Sequence, residues 1–105
     1  MNISIKPEPF DHIKNGSKTI EVRLYRKIFE KIKVNDNITF YSKNGSLLKN
    51  IKNMKLYNSF EELYNSENIN LITPQLKSKE DFIYHYNNIY KNVDIRKFKV
   101  VALFI

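Results

Sequence analysis

The stretch Gly16-Ser17-Lys18-Thr19-Ile20-Glu21-Val22-Arg23 marks a change from a helical to an extended pattern near the start of the chain. Before it, Phe10 and Ile13 lie three residues apart, as on one face of a short helix. Asn15-Gly16 predicts the end of that helix, because glycine adopts the left-handed cap conformation without steric cost. From Lys18 onward apolar residues alternate with polar ones, which predicts a strand with one apolar and one polar face.

The polar face of this strand carries Glu21 and Arg23, and Lys18 lies at the start of the strand, so three charged side chains fall within six residues. Such alternation is typical of an exposed strand edge with a weak ion pair, worth under about 1 kcal/mol. The same residue types also suit a binding site. The carboxylate of Glu21 can accept from an exocyclic amine such as that of cytosine, while Lys18 and Arg23 can reach a carbonyl or a phosphate. The spacing alone favours the exposed edge.

The rest of the chain predicts further short strands and helices. Strands are expected at 3–6, 38–41, 47–57 and 98–105, with an Asn44-Gly45 turn and a bulge at 50–53; helices are expected at 26–33, after Ser59 and after Ser78, and a loop at 65–77. The last strand is apolar on both faces, so we expect it to be buried on both sides. Together these patterns predict an α+β fold of about five strands with three to four short helices, in a closed or nearly closed β-barrel.

Composition places further limits on the fold and on the partner. A chain of 105 residues is expected to form one domain, over residues 1–105. Lys and Arg total 18 against 11 Asp and Glu, which gives a net charge of +7. Residues 1–55 hold 12 basic and 5 acidic side chains, so the whole excess lies in the first half. This predicts an anionic partner, nucleic acid first and a membrane surface second. An AT-rich coding genome would also raise the lysine content without any partner.

Residues that are rare or missing exclude several classes of site. No cysteine is present, which excludes a disulfide framework, a zinc ribbon and a thiol nucleophile. His12 and His85 are the only histidines and supply at most half of a tetrahedral zinc site, so we expect neither a metal nor another cofactor. No apolar run approaches the ~20 residues that a membrane span needs. We therefore expect a cytoplasmic protein without a membrane partner, and the sequence does not indicate its oligomeric state.

The stretch 16–23 also has the spacing G-x-K-x-x-E-x-R, and on this pattern the chain resembles the ASCH domain, a small β-barrel of the PUA-like superfamily. The resemblance extends over essentially the full length. Further matching segments are the first helix at 9–16, the turn at 32–38, the Phe-Glu-Glu-Leu helix at 60–64 and Ile89-Tyr90 before the last strand. One departure is Asn35, which stands where the family usually has glycine. Asparagine is the next-best residue for a positive φ angle.

The resemblance implies a cleft that binds RNA or a nucleotide, lined here by Lys18, Glu21 and Arg23. Some family members are instead amidohydrolases that remove acyl groups from the exocyclic amine of modified cytidine, and a few are described as ribonucleases. In those amidohydrolases, the resemblance implies an active site made of a lysine, a threonine three residues later and a glutamate further along the chain. Lys18 matches the lysine, but Glu21 stands at the threonine position, and neither Glu67 nor Glu80 aligns well with the later glutamate.

A carboxylate in place of that hydroxyl has a chemical consequence. A hydroxyl beside an amine can become a nucleophile, whereas the Glu21 carboxylate stabilises the ammonium form of Lys18 and makes it a poorer general base. We therefore predict an RNA- or nucleotide-binding module first. The alternative is a metal-independent amidohydrolase acting on N4-acylated cytidine or another nucleoside, or a ribonuclease, with Lys18 and Glu21 as its catalytic residues. A third hypothesis is a domain that docks an acidic protein partner.

Tyrosines extend the predicted binding site, because aromatic side chains on a basic surface commonly stack single-stranded bases. Tyr41 lies on the predicted hairpin, and Tyr90 lies at the end of the helix that follows Ser78. Tyr90 also belongs to the apolar stripe of that helix, so packing alone would explain it. His85 is expected on the solvated face of the same helix, and His12 at the surface of the first helix.

Overall fold

Six strands and four α-helices make up the fold, and the computed structural model describes all residues from 1 to 105. The strands are β1 (Asn2–Ser4), β2 (Ile20–Leu24), β3 (Asn37–Ser42), β4 (Gly45–Asn50), β5 (Asn53–Tyr57) and β6 (Val100–Phe104). The helices are α1 (Pro7–Asn15), α2 (Phe60–Ser66), α3 (Lys79–Ile89) and α4 (Asn92–Lys97), with short 3₁₀ turns at Lys27–Phe29 and Ile69–Leu71. The predicted α+β class is confirmed.

The strands form two separate three-stranded sheets. In the first sheet, β3 lies between β1 and β4, parallel to β1 and antiparallel to β4. In the second sheet, β6 lies between β2 and β5 and is antiparallel to both. The charged stretch is therefore carried by an edge strand, since β2 has a strand partner on one side only.

The predicted closed or nearly closed barrel is wrong, because the two sheets remain separate and neither is closed. The edges of β1 and β2 are linked by a side chain: Nη2 of Arg23 donates to the carbonyl oxygen of Ser4 at 3.2 Å. β1 has only three residues, and its ladder is formed with β3. Closing a barrel would require backbone hydrogen bonds between β1 and β2. The structure has the side-chain contact of Arg23 with Ser4 there instead.

The second arm of the hairpin also differs from the prediction. The segment expected as one strand at 47–57 is two strands, because β4 ends at Asn50 and β5 begins at Asn53 in the other sheet. Between them, the backbone N–H of Ile51 donates to Asp36 at 2.9 Å and that of Lys52 donates to Phe104 at 2.7 Å. The chain thus crosses between sheets where a bulge was expected, which gives six strands rather than about five.

The central strand β6 has a hydrophobic core on each side. Val101, Leu103 and Ile105 pack in one cluster with residues of the first sheet and α1. Val100 and Ala102 pack in the other cluster with residues of α2 and α3. The predicted burial on both sides is confirmed, and the second sheet forms the layer between the first sheet and these two helices.

Local capping residues act as the sequence predicts. The side chains of Ser59 and Ser78 each accept a hydrogen bond, at 3.1 Å, from the backbone N–H three residues later, and α2 and α3 begin directly after them. α1 ends at Gly16, whose φ angle of 87° is the left-handed conformation that glycine favours. Asn35 also has a positive φ angle, 77°, at the turn before β3.

Three other segments differ from the prediction. The helix expected at 26–33 is a single 3₁₀ turn, and Ile28 is exposed. The loop expected at 65–77 contains the second 3₁₀ turn and buries Ile72. α4 was not expected at all, because no side chain caps its start. In segments this short, the spacing of apolar residues does not distinguish an α-helix from a 3₁₀ turn or a loop. No helix of the fold combines the length and the apolar character needed to cross a membrane.

Two leucines test the central position of β6. Leu103 on β6 is fully buried, whereas Leu48 on β4 is 66% exposed. We expect Leu103→Ala to lower the free energy of unfolding by roughly 2–5 kcal/mol, because it leaves a cavity in the core. Leu48→Ala should change it by less than about 0.5 kcal/mol. Urea unfolding of the two variants measures this difference, and equal effects would contradict the burial assigned to β6.

Candidate functional site

Three charged side chains of the stretch 16–23 meet at the edge strand β2, and we call Lys18, Glu21 and Arg23 the charged triad. Glu21 and Arg23 lie on β2, and Lys18 lies two residues before it. The stretch begins where α1 ends, and the backbone N–H of Lys18 donates to the carbonyl of His12 at 3.0 Å. The apolar side chains of β2 pack against α2 and α3. Because side chains alternate along a strand, Glu21 and Arg23 lie on the other face, toward the first sheet.

Lys18 is only 4% exposed, and the protein satisfies its ammonium group. Nζ donates to the carbonyl oxygens of Ile20 and Ile72, each at 2.7 Å, and lies 3.1 Å from Oε1 of Glu21. An ammonium group has three N–H donors, and these three oxygens can receive all of them. Lys18 thus ties β2 to the segment after the second 3₁₀ turn and has no donor left over for a ligand.

Glu21 lies at the centre of the triad and is 5% exposed. Its Oε1 atom pairs with Lys18, and its Oε2 atom accepts from Nε and Nη2 of Arg23 at 3.0 and 2.9 Å. Burial by itself would raise the pKa of Glu21, but the positive charges of Lys18 and Arg23 outweigh it and hold that pKa below its ordinary value. Glu21 is therefore an ionised acceptor at neutral pH.

Arg23 is the member of the triad that solvent can reach, since its side chain is 28% exposed. Its Nε and Nη2 atoms are directed at Glu21, and Nη2 also donates to Ser4 of β1. Its Nη1 atom has no acceptor within the protein. The triad therefore holds one guanidinium in a fixed orientation between the two sheets, with donor capacity left for a ligand.

Helix α3 brings two tyrosines to the same strand. Burial, and then the negative charge of Glu21, raise the pKa of Tyr86 well above its ordinary value. The hydroxyl of Tyr90 accepts from the backbone N–H of Leu24 at 3.4 Å, and the guanidinium of Arg26 lies 5.4 Å from the centre of the Tyr90 ring. Tyr90, one of the predicted site residues, is thus half-buried beside β2 and already stacked against a cation of the protein.

Tyr41, the other tyrosine predicted for the site, lies on β3 in the first sheet. Its backbone is in register with Ser4, the residue whose carbonyl Arg23 contacts, and with Ser46 on β4. Its side chain is exposed. The structure therefore brings the charged triad and Tyr90 together, while Tyr41 stands on the surface of the neighbouring sheet.

His85 is half-buried beside the triad, in contrast to the solvated position that the helical pattern predicts. Burial, and then the positive charges of Lys6 and Lys18, lower the pKa of His85, while the negative charges of Glu21 and Glu8 act in the opposite direction. Its imidazole is therefore neutral at pH 7, with one nitrogen that donates and one that accepts.

A depression of about 320 Å³, which we call the α3 cavity, lies beside His85. Its lining residues are Lys6, Leu76, Asp81, Tyr84, His85, Asn88 and Ile89. Five of these residues follow the i, i+3, i+4 spacing of one face of α3. That spacing was available in the sequence, but Lys6 and Leu76 reach the cavity only through the tertiary fold.

His12 and Ser17 form a small hydrogen-bonded loop next to the triad. Nδ1 of His12 lies 3.0 Å from Oγ of Ser17, and Nε2 of His12 lies 3.9 Å from the carboxylate of Glu8. The Ser17 hydroxyl donates to Oδ1 of Asn15 at 2.6 Å. The same hydroxyl lies 3.3 Å from the carbonyl oxygen of His12, so Ser17 helps to close the end of α1.

The acids considered for a later catalytic glutamate lie away from Lys18. Glu67 directly follows α2, accepts a short hydrogen bond from the hydroxyl of Tyr57 and lies 3.6 Å from Nζ of Lys55, so it contacts β5, which lies on the other side of β6 from β2. Glu80 is exposed in the first turn of α3. No three His, Cys, Asp or Glu side chains are grouped as metal ligands.

Comparison with known proteins agrees with the motif on β2. The family model described as "ASCH domain" matches residues 3–103. The chain belongs to the ASCH domain family.

Two solved structures show how closely other chains share the fold of this ASCH domain. A crystal structure described as hypothetical protein PH0355 superposes with a TM-score of 0.90, at 33% sequence identity, over 98% of this chain and 94% of that chain. The solution NMR structure of protein PF0455 from Pyrococcus furiosus superposes with a TM-score of 0.78, at 33% identity and the same coverage of 98% and 94%. No curated protein matches the sequence.

Removing the charge of Glu21 tests the coupling within the triad. We expect Glu21→Gln to lower the free energy of unfolding by about 3–5 kcal/mol, because it leaves the buried ammonium of Lys18 without its counter-charge. Glu30→Gln is the matched control, since Glu30 is exposed and forms no ion pair, and it should leave stability unchanged. Chemical denaturation measures both, and a loss for Glu21→Gln no larger than that of the control would show that the triad is not coupled.

The contribution of Glu21 to stability should depend on pH in one direction. Its pKa in the folded protein lies below the ordinary 4.5, so ionised Glu21 stabilises the fold at and above that pH, and the stabilisation is lost as the pH falls through the lowered pKa. The difference in free energy of unfolding between the wild type and Glu21→Gln should stay constant near neutral pH and shrink in acid. A difference that widened in acid would show that the folded-state pKa is raised instead.

Proposed function

We propose that this ASCH domain binds RNA or a nucleotide at the surface between β1, β2 and α3, and that Arg23 is the cation in contact with the ligand. One observation carries the proposal. A buried carboxylate holds the guanidinium of Arg23 from one side, while Nη1 makes no hydrogen bond within the protein and the side chain is 28% exposed. Guanidinium groups fixed in this way recognise phosphates and carbonyl oxygens with defined geometry.

The burial of Lys18 and Glu21 supports a role for them in positioning Arg23. Replacing a buried ion pair by apolar residues is often neutral or stabilising, so stability alone does not account for one. Lys18 compensates the charge of Glu21 and anchors it, and Glu21 in turn fixes the fork of Arg23. In this proposal Arg23 makes the contact, and the other two residues pre-organise it.

The surroundings of Arg23 suit an anionic, aromatic ligand. Tyr90 lies along the same strand with Arg26 over its ring, and Tyr41 is exposed on the adjoining sheet. The net charge of +7 adds a long-range attraction for a phosphate backbone. In the proposal the exposed ring of Tyr41 offers a stacking surface for a base at the border of the cationic site, whereas the Tyr90 ring is already occupied by Arg26 and Phe60.

The contacts of Lys18 support recognition rather than hydrolysis. A general base needs an accessible lone pair, whereas the ammonium of Lys18 is buried and donates to oxygens of the protein. Glu21 is ionised and engaged by two cations, which makes it a poor proton donor. At the threonine position of the related amidohydrolases this chain has Glu21, and Glu67, considered for the later carboxylate, pairs with residues of β5 instead.

The substitution Arg23→Ala tests the proposal, and Arg96→Ala, which removes the same charge elsewhere, is its control. We expect Arg23→Ala to weaken binding of short single-stranded RNA about tenfold or more, because a hydrogen bond to a charged group is lost at the contact. Arg96→Ala removes the same charge from the exposed surface of α4 and should have little effect. Fluorescence anisotropy with labelled oligonucleotides measures both affinities, and thermal unfolding verifies that each variant is folded. Equal affinities for the two variants would contradict the role of Arg23.

Two further measurements separate binding from catalysis. Wild-type affinity for RNA should fall steeply between about 50 and 200 mM salt, because phosphate contacts release counterions. The same protein incubated with N4-acetylcytidine should release no acetate. Acetate release that stops in Lys18→Ala would replace the binding proposal by the amidohydrolase alternative.

A further inference from the structure

We propose that the α3 cavity holds a single nucleotide unit, with its base against Tyr84 and its phosphate at Lys6. This assignment rests on the function proposed above. It specifies that this part of the surface binds one nucleotide of the ligand. It adds residues of α3 and the start of α1 to a site otherwise defined by β2. None of these residues belongs to the G-x-K-x-x-E-x-R motif.

The size of the cavity suits a small polar molecule. Its volume of about 320 Å³ lies at the lower end of the roughly 300–1,000 Å³ typical of ligand sites. One wall is a face of α3, and the other walls come from Lys6 and Leu76, which are distant from α3 in sequence. A site built from three separate segments holds its groups in place through the fold rather than through one flexible loop.

The α3 wall offers a stacking surface and an amide for the base. Tyr84 is 70% exposed and makes no hydrogen bond or ring contact within the protein, so the core does not require an aromatic residue there. Ile89, which is also exposed, adds apolar surface to the same wall. The side-chain amide of Asn88 has a donor and an acceptor side by side, the pattern that pairs with N6 and N7 of adenine. We expect adenine to be preferred over cytosine, because its larger ring system can stack on more of the Tyr84 ring.

The cavity is lined by one cation and one carboxylate, which suit different parts of a nucleotide. Lys6 has an exposed ammonium with no ion-pair partner, and it acts on His85 together with Lys18 from β2. Asp81 lines the cavity as a carboxylate that suits ribose hydroxyls rather than a phosphate. His85 also lines the cavity, and its neutral imidazole can donate a hydrogen bond to the ligand through one nitrogen and accept one through the other.

A buried hydroxyl without a partner lies three residues before the cavity residue Leu76, at Thr73, which does not itself line the cavity. Oγ1 of Thr73 is the one buried side-chain oxygen without a hydrogen-bond partner, and the Thr73 carbonyl accepts from the backbone N–H of Leu76. Buried polar groups in folded proteins are nearly always hydrogen-bonded, so the unpaired hydroxyl of Thr73 is an exception within this fold. The turn that ends at the cavity residue Leu76 thus carries unused hydrogen-bonding capacity.

Titration of the ¹⁵N-labelled full chain with 5′-AMP tests the assignment. We expect saturable shifts of the amide signals of residues 81–89 and of Lys6, with weaker binding of CMP, adenosine and inorganic phosphate. Tyr84→Leu and Lys6→Ala should each weaken AMP binding about fivefold or more, because stacking and the phosphate contact are lost. Tyr84→Phe keeps the ring and should retain the affinity, and Lys52→Ala is the matched control for the loss of one exposed lysine.

The outcomes distinguish this inference from the function on which it rests. The assignment is overturned if AMP causes no saturable shifts, or if Tyr84→Leu and Lys6→Ala bind AMP as the wild type does. RNA binding that depends on Arg23 but is unchanged in both cavity variants would overturn the cavity alone and leave the proposed function standing. Failure of the wild type to bind either RNA or AMP would overturn both. If AMP binds and oligoadenylate competes with it, the cavity takes a nucleotide of an RNA chain. If AMP binds and oligoadenylate does not compete, the cavity takes a free nucleotide.

Discussion

The buried ion pair between Lys18 and Glu21 fixes the relation between three parts of the chain. Lys18 joins β2 to the carbonyl of Ile72, and Glu21 directs Arg23 toward Ser4 of the other sheet. An ion pair in a water-poor environment is tolerated only when its remaining donors and acceptors are satisfied. The positions of the Ile72 segment and of the β1 edge are therefore constrained by the hydrogen-bonding needs of two charged groups, in addition to the packing of the core.

The same pair determines which chemistry is available at the surface. With Lys18 and Arg23 on either side, Glu21 stays ionised in spite of its burial, and the lysine is directed entirely at oxygens of the protein. Proton exchange with a bound molecule is thereby disfavoured for both groups. What the arrangement presents to solvent is a rigid, permanently charged guanidinium, whose orientation requires little further ordering when a ligand binds.

The local sequence patterns predict individual strands and helix caps well, but they predict less well how the strands are arranged into sheets. The alternation through β2, the caps at Ser59 and Ser78 and the two-sided burial of β6 all follow from neighbouring residues. The barrel was wrong because closure depends on which strand edges meet, and the break after Asn50 has the same local pattern as a bulge. At the site, the motif predicts that the charges of the triad lie together. It cannot predict that Lys18 is buried, because that depends on Ile72, 54 residues away.

The core packing of α3 decides which of its residues reach the site. Phe82 and Tyr86 occupy one buried row, and Phe60 stacks on Tyr86 with ring centres 4.5 Å apart. In a helix with 3.6 residues per turn, each successive side chain turns by about 100°, so anchoring Tyr86 in the core also fixes His85 at its side, toward the cavity. The apolar stripe of α3 therefore affects the site as well as the stability of the fold. It sets the orientation of the polar face beside β2, so a change in the aromatic packing would move the cavity wall without altering any charge of the triad.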